Sequence, residues 1–392
     1  MIRLILLTDF TESFAYKLLK GILEYSKGRE PWVVCRMPPS YKRAHGISGV
    51  LAWAKKWQAD AIIAQFEPNE PVELFRENGI MALAQDFKSR FTCIPNITSH
   101  YLLTGQMGAD FFVQKGFRHF AYYGYKDVVW SEERFMGYKA RVEKYGFKVH
   151  EYRKASLDNL WYYEFTPLEN WIASLPRPVA LMACDDTSAN KILEVCRVMD
   201  IKVPEEISVL GVDNDEMTCN LSDPPLSSIS LNVMKGGFEA ARLIDSSLKN
   251  SEMNLEDVFI EPVMVINRLS TDIYATKNPA VLTALKYIHQ NLSNKLVVDM
   301  IVDQVPLSRR LLEIQFKQIT GKSIYQYIED LRMERFAQKL LASNESVTNI
   351  GAEFGLFDIK NLSRQFKKWK GCTPLEYRRK NKTGPDKSVG II

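Results

Sequence analysis

Apolar and polar positions follow two different rhythms along the 392 residues. As far as about residue 270, short apolar runs that end in polar residues alternate with stretches of helical period. The runs are Ile2 to Asp9, Ala61 to Phe66, Ile80 to Asp86, His119 to Gly124, Val179 to Asp186 and Ser208 to Asp215. Between them lie amphipathic segments such as the one with Phe14, Leu18, Leu19 and Ile22 on one side, and the stretches LLTGQMGADFFVQKG and TSANKILEVCRVM. Strands alternating with helices predict a parallel α/β sheet. Ligands of such sheets lie at the carboxyl ends of strands, where this chain places Asp9, Asp86, Asp185, Asp186, Asp213 and Asp215.

From Leu296 to Arg379 the rhythm is helical throughout, and one pattern occurs twice. In the first copy Met300, Ile301 and Val305 face inward, Pro306 breaks the chain, Ser308 caps the next helix, and Leu312 and Phe316 dock it. The second copy uses Ile350, Phe354, Gly355, Asp358, Leu362 and Phe366, with cap, Leu and Phe each displaced by fifty residues. A capping side chain satisfies orphan amides of the first turn, and residues four apart share one helix face. Each second helix is therefore held by one stripe and leaves the other free. A long helix from Ile324 to Leu341, apolar at Ile324, Tyr327, Ile328, Leu331, Phe336 and Leu340, reads as the strut between the copies.

The free stripes carry Arg309, Arg310, Glu313 and Lys317 beside the Ser308 cap, then Lys360, Asn361, Arg364, Lys367 and Lys368. Arg can bridge O6 and N7 of guanine, Asn can bridge N6 and N7 of adenine, and Lys mostly meets phosphate. The same charges also suit a solvated helix face; two matched helices favour double-stranded promoter DNA as the partner. Charge agrees: from Lys277 onward 20 Lys and Arg face 11 Asp and Glu, a net of +9, whereas residues 1 to 276 carry a net of −5. A concentrated basic face releases counterions from duplex DNA and makes binding salt dependent.

The run SVTNIGAEFGLFDIKNLSRQFKKWKGCTPLEYRR, Ser346 to Arg379, closely resembles the C-terminal signature of the AraC/XylS transcription regulators. The run from Leu307 to Leu341 resembles the first helix-turn-helix and linking helix of that family. Two positions depart from the pattern: Pro306 stands where the family usually has Gly, and Phe357 where a small polar residue usually precedes the cap.

Upstream, KVPEEISVLGVDNDE (Lys202 to Glu216) followed by PPLSSISLNVMKGGFEAARLI (Pro224 to Ile244) resembles the two-lobed sugar-binding domain of LacI-type repressors and periplasmic binding proteins. The phrase SEERFMGYKA, Ser131 to Ala140, matches the family's Arg followed by a Gly-aromatic pair. That resemblance implies that Arg134 forks onto ligand hydroxyls and that Asp185 and Asp213 accept from others. A sugar's C–H face packs on an aromatic ring, for which Phe14, Trp53 and Trp130 are available, each otherwise an ordinary core residue. Asp9 and Asn214 suit either a ligand or a turn cap; Asp186 reads as the cap of the helix after it, leaving Asp185 as the ligand. The short DNA reader that precedes this domain in LacI-type repressors is not seen ahead of the first strand.

Both resemblances occur together, in this order, in the xylose-operon activators, and the junction Ile266 to Asn291 resembles theirs. The organisation expected is a LacI-like domain over 1–268, a linker over 269–278, a double helix-turn-helix domain over 279–380 and a disordered tail over 381–392. The resemblance implies a sugar effector, D-xylose foremost, a homodimer, and contact with RNA polymerase if the protein activates. A sugar-released repressor keeps the same parts in the opposite logic, and a sugar-processing enzyme or carrier is the rival of another class.

Other chemistry is poorly represented. Six Cys at 35, 93, 184, 196, 219 and 372 form no CxxC pair, and the five His form no HExxH set, so no metal and no cofactor is expected. No GxxxxGK or GxGxxG occurs. Asp9 and Glu12 interrupt the first apolar run, and no run approaches the roughly 18 apolar residues needed to span a membrane, so a cytoplasmic location with reduced thiols is expected.

Overall fold

The computed structural model describes residues 1–10, 13–155, 164–250, 256–272, 278–292, 296–343, 345–356 and 358–381. Phe357, residues 273–277 of the expected linker and 382–392 of the expected tail lie outside them. Two six-stranded sheets and a helical tail make up the described chain. The first sheet, ordered β11-β5-β4-β3-β1-β2, contains β1 (Ile2–Leu7), β2 (Trp32–Met37), β3 (Ala61–Ala64), β4 (Met81–Gln85), β5 (Asn96–Ser99) and β11 (Val258–Ile260). The second, ordered β12-β10-β9-β8-β6-β7, contains β6 (His119–Tyr125), β7 (Val149–Lys154), β8 (Val179–Ala183), β9 (Ile207–Val212), β10 (Ser227–Leu231) and β12 (Pro262–Ile266). All neighbours are parallel except β12, which runs antiparallel along β10.

Among the described residues nine helices surround the sheets: α1 (Ser13–Ser26), α2 (Pro39–Trp57), α3 (Glu73–Glu77), α4 (Tyr101–Gln114), α5 (Val129–Lys144), α6 (Phe165–Ser174), α7 (Asp186–Val198), α8 (Glu216–Leu221) and α9 (Val233–Asn250). The chain passes from the first lobe to the second through α4, returns through α9, and crosses once more between β11 and β12. The central strands are apolar on both faces, as parallel strands covered on both sides must be: β3, β4, β8 and β9 are buried along their whole length. Trp53 packs on the α2 side of the first sheet as an ordinary core residue.

Helices α4 and α5 meet through glycines. A Cβ on Gly105 would lie 2.0 Å from the Arg134 carbonyl oxygen, and one on Gly137 would lie 2.0 Å from that of Leu102. Only a residue without a side chain permits so close an approach.

The tail comprises α10 (Pro279–Gln290), α11 (Val298–Val302), α12 (Arg309–Thr320), α13 (Ile324–Ala342), α14 (Val347–Glu353), α15 (Ile359–Lys370) and α16 (Pro374–Asn381). One core gathers Leu312, Phe316 and Ile328 of the first unit, and another gathers Phe336, Leu362 and Phe366 of the second. The second core also takes in Met264 of β12, so this unit sits against the edge of the second lobe.

Two expectations are corrected. Met300 is 43% exposed while Ile301 is fully buried, because the first unit has seven positions from Ile301 to Ser308 where the second has eight from Ile350 to Asp358. Leu269–Thr271 is a 3-10 turn of the second lobe, with Ser270 donating to the Val209 carbonyl at 2.7 Å, so the lobe extends past residue 268.

Candidate functional site

Arg134 projects from α5 to the carboxyl ends of β8 and β9, beside the turn that Lys17 of the first lobe touches. It is 3% exposed; Nη1 donates to the Cys184 carbonyl at 2.5 Å and Nη2 to Asp213 Oδ1 at 3.0 Å. Its guanidinium lies 5.3 Å from the Tyr101 ring and 5.4 Å from the Trp130 ring. Burial opposes the charge, yet the Asp213 carboxylate beside it holds the pKa above the ordinary arginine value. Nε is buried with no hydrogen-bond partner among the described residues.

Around Arg134 the structure gathers Trp130, Asp213 and, from the start of α4, Tyr101, whose hydroxyl donates to Asp86 at 2.8 Å. Burial pushes the Asp86 carboxyl up. Asp9 stands exposed at the end of β1, and Phe14 is half-buried in α1 against the core. Lys17, also on α1, donates to the Asp213 and Asn214 carbonyls, each at 2.8 Å. Tyr101 and Lys17 have no sequence signal of their own; each is an isolated polar group on an amphipathic helix.

The cap expected at Asp186 falls on Asp185. Asp185 is the N-cap, accepting from the Ser188 amide at 2.6 Å, because the chain leaves β8 after Ala183 and is still extended at 185. Asp186 is the buried strut: it accepts from Ser228 Oγ at 2.5 Å and from the Asp215 amide at 2.7 Å. Burial, aided by Asp213 nearby, pushes its carboxyl up to about 8. Burial likewise raises Asp185. Asn214 turns its side-chain oxygen to Arg268, at 2.9 Å, and offers the cleft a main-chain carbonyl.

In the tail the fifty-residue repeat runs further than cap, Leu and Phe. Gly321 and Gly371 both end their helices in the left-handed region, at φ 74° each. Phe316 meets Tyr327 edge-on at 5.4 Å, and Phe366 meets Tyr377 edge-on at 5.3 Å. Both capping side chains act as expected, Ser308 accepting from the Leu311 amide at 3.4 Å and Asp358 from the Asn361 amide at 3.0 Å. Ser308 is thus engaged with its own helix.

With Leu312, Phe316, Leu362 and Phe366 buried, Arg309, Arg310, Lys317, Lys360, Arg364, Lys367 and Lys368 are exposed, and Glu313 and Asn361 half-buried. Arg309 reaches Asp299 at 2.7 Å, and Arg364 donates to Asn361 Oδ1 at 3.1 Å. The second pair orients an arginine and an asparagine side by side near a helix N-terminus, where bases are read.

A two-lobed domain joined to a double helix-turn-helix domain defines a ligand-sensing transcription regulator of AraC type. Residues 109–271 match the periplasmic binding protein-like domain family, and residues 301–380 a helix-turn-helix domain family. The xylose operon regulatory protein of Haemophilus influenzae is 30% identical over 330 residues, covering 81% of this chain and 84% of that one. Its Escherichia coli (strain K12) counterpart is 29% identical over 395 residues, 96% of each. The chain belongs to the family of xylose operon regulatory proteins. A solved xylose-binding transcription activator superposes with a TM-score of 0.59 at 26% identity, covering 97% of this chain and 98% of that one. Among the described residues no helix is long and apolar enough to cross a membrane.

Proposed function

We propose that the protein is a pentose-responsive activator. D-xylose binds between the lobes, and the loaded protein engages promoter DNA through both helix-turn-helix units. The observation that carries this reading is Arg134: a buried guanidinium between two aromatic rings, paired with Asp213 and retaining an unpaired Nε. An unmet buried donor costs about 1–3 kcal/mol, which a ligand hydroxyl can relieve. Asp213 supplies an acceptor and Trp130 an apolar face, and Asp9 and Phe14 are the candidates from the first lobe. The name of the sugar rests on the likeness to xylose regulators, since pentoses differ by the position of one hydroxyl.

Arg310, Arg364 and Asn361 read base edges, Glu313 can accept only from a base amino group such as cytosine N4, and Arg309, Lys317, Lys360, Lys367 and Lys368 set register on the backbone. Ligand seated between lobes favours the arrangement that contacts it from both sides. In a homodimer in the cytoplasm, closure aligns four helix-turn-helix units with two half-sites and presents a surface to RNA polymerase.

Calorimetric titration with D-xylose, L-arabinose and D-ribose tests the sensor, and a gel shift with and without the bound sugar tests the sign. Saturable heat with xylose alone, and tighter DNA binding in its presence, are the expected results. Release of DNA by sugar would make the protein a repressor.

A further inference from the structure

Asp213 and Asn214 are non-glycine residues held in the left-handed region, at φ 96° and 46°. Such positions cost on the order of 1–3 kcal/mol and persist only where their surroundings over-determine them. The bonds to the turn's amides and to the Asn214 side chain come from the second lobe. The Asp213 amide donates to the Ile229 carbonyl at 2.9 Å, and the Asn214 amide to Ser228 Oγ at 2.9 Å. Arg268 holds the Asn214 side chain and Asp186 the Asp215 amide. The turn is therefore a rigid part of that lobe, and it presents two consecutive carbonyls to the first.

One side chain of the first lobe takes both: the Lys17 ammonium, 2.8 Å from each oxygen in a half-buried setting. The same turn gives its carboxylate to Arg134. Hydrogen bonds from a charged donor are about twice as strong as neutral ones, and this one forms only when the lobes are together.

We propose that Lys17 is the closure residue of the cleft, a positioning residue that docks the first lobe on the Asp213–Asn214 turn and thereby sets how readily the sensor shuts on its ligand. Apparent affinity scales with the fraction of molecules in the competent arrangement. Lys17 therefore tunes the effector concentration to which the regulator responds; this clause rests on the pentose reading, while the docking does not.

Lys17→Met keeps the aliphatic stem and removes the donors. In full-length Lys17→Met without sugar, amide hydrogen exchange is expected to quicken in peptides spanning 13–20 and 208–216, with protection of 179–183 unchanged. D-xylose affinity is expected to fall about tenfold, and Lys17→Arg to restore both. Faster exchange on both faces without xylose binding to any form would sink the pentose reading and leave the docking role standing. Unchanged exchange would overturn the proposal, as would weakened xylose binding with unchanged exchange, which would make Lys17 a ligand contact. Lost protection at 179–183 would overturn it too, making Lys17 a stabiliser of the fold.

Discussion

The Tyr377 hydroxyl of α16 lies 3.7 Å from the Met264 sulfur of β12, joining the second helix-turn-helix unit to the edge of the sensor's second lobe. Val263 and Ile266 flank Met264 in the same apolar seam, opposite Phe336, Leu340 and Phe366. β12 is an edge strand of the second sheet, and the helical unit packs on its apolar side chains.

Removing the seam should separate sensing from reading. Met264→Ala is expected to leave D-xylose binding and sugar-free DNA binding within about twofold of the parent while the effect of sugar on DNA binding disappears; truncating a well-buried Met costs about 2–5 kcal/mol locally. Parallel calorimetry and gel shifts check this, and a retained sugar response would show that the seam transmits nothing.

Arg134→Ala should lower sugar affinity about ten- to hundredfold, because each hydrogen bond to a charged group contributes about 1.5–3 kcal/mol. DNA affinity without sugar should persist, since the helices that read DNA lie in a separate core. Equal loss of sugar-free affinity would assign Arg134 to structure.

Asp186 makes sensor stability depend on pH. Its folded carboxyl titrates at about 8, whereas an unfolded Asp titrates near about 3.9. Folding therefore favours the protonated form: its contribution is full below the unfolded value and is lost as pH rises through about 8. Between pH 5.5 and 8.5 the thermal midpoint of the parent should fall relative to that of Asp186→Asn. Parallel curves would remove Asp186 from the account.

On DNA, the two halves of the second recognition helix should behave differently. Arg364→Ala is expected to cost about 1–3 kcal/mol and to relax preference at one base position. Lys368→Ala should weaken all sequences alike and reduce the salt slope by about 1. Fluorescence anisotropy on operator and scrambled duplexes at several salt concentrations separates the two.

The DNA reader was legible because its determinants are local: a cap, a Leu and a Phe within nine positions, restated fifty residues later. Gly321 with Gly371 and Tyr327 with Tyr377 continue the repeat and could have been found by extending that offset. In the sensor the doubly covered strands were legible as apolar runs. Edge strand β7, half-buried or exposed throughout, carries too mixed a pattern to mark it, whereas the apolar run of edge strand β2, Trp32–Met37, was open to reading. The cap after β8 falls on Asp185 because the backbone turns one residue earlier than the apolar run suggests. Lys17 was beyond sequence reading for a different reason: its partners lie 196 and 197 residues away.

The glycine contacts of α4 and α5 have a bearing on this cleft. The carbonyl that Gly105 admits belongs to Arg134 itself, and Tyr101, whose ring lies over that guanidinium, begins the same helix as Gly105. The distance between ring and cation is thus gauged by a missing side chain one turn away. A single methyl at position 105 would act as a shim, pressing on the Arg134 main chain and moving the cation away from the ring that lies over it.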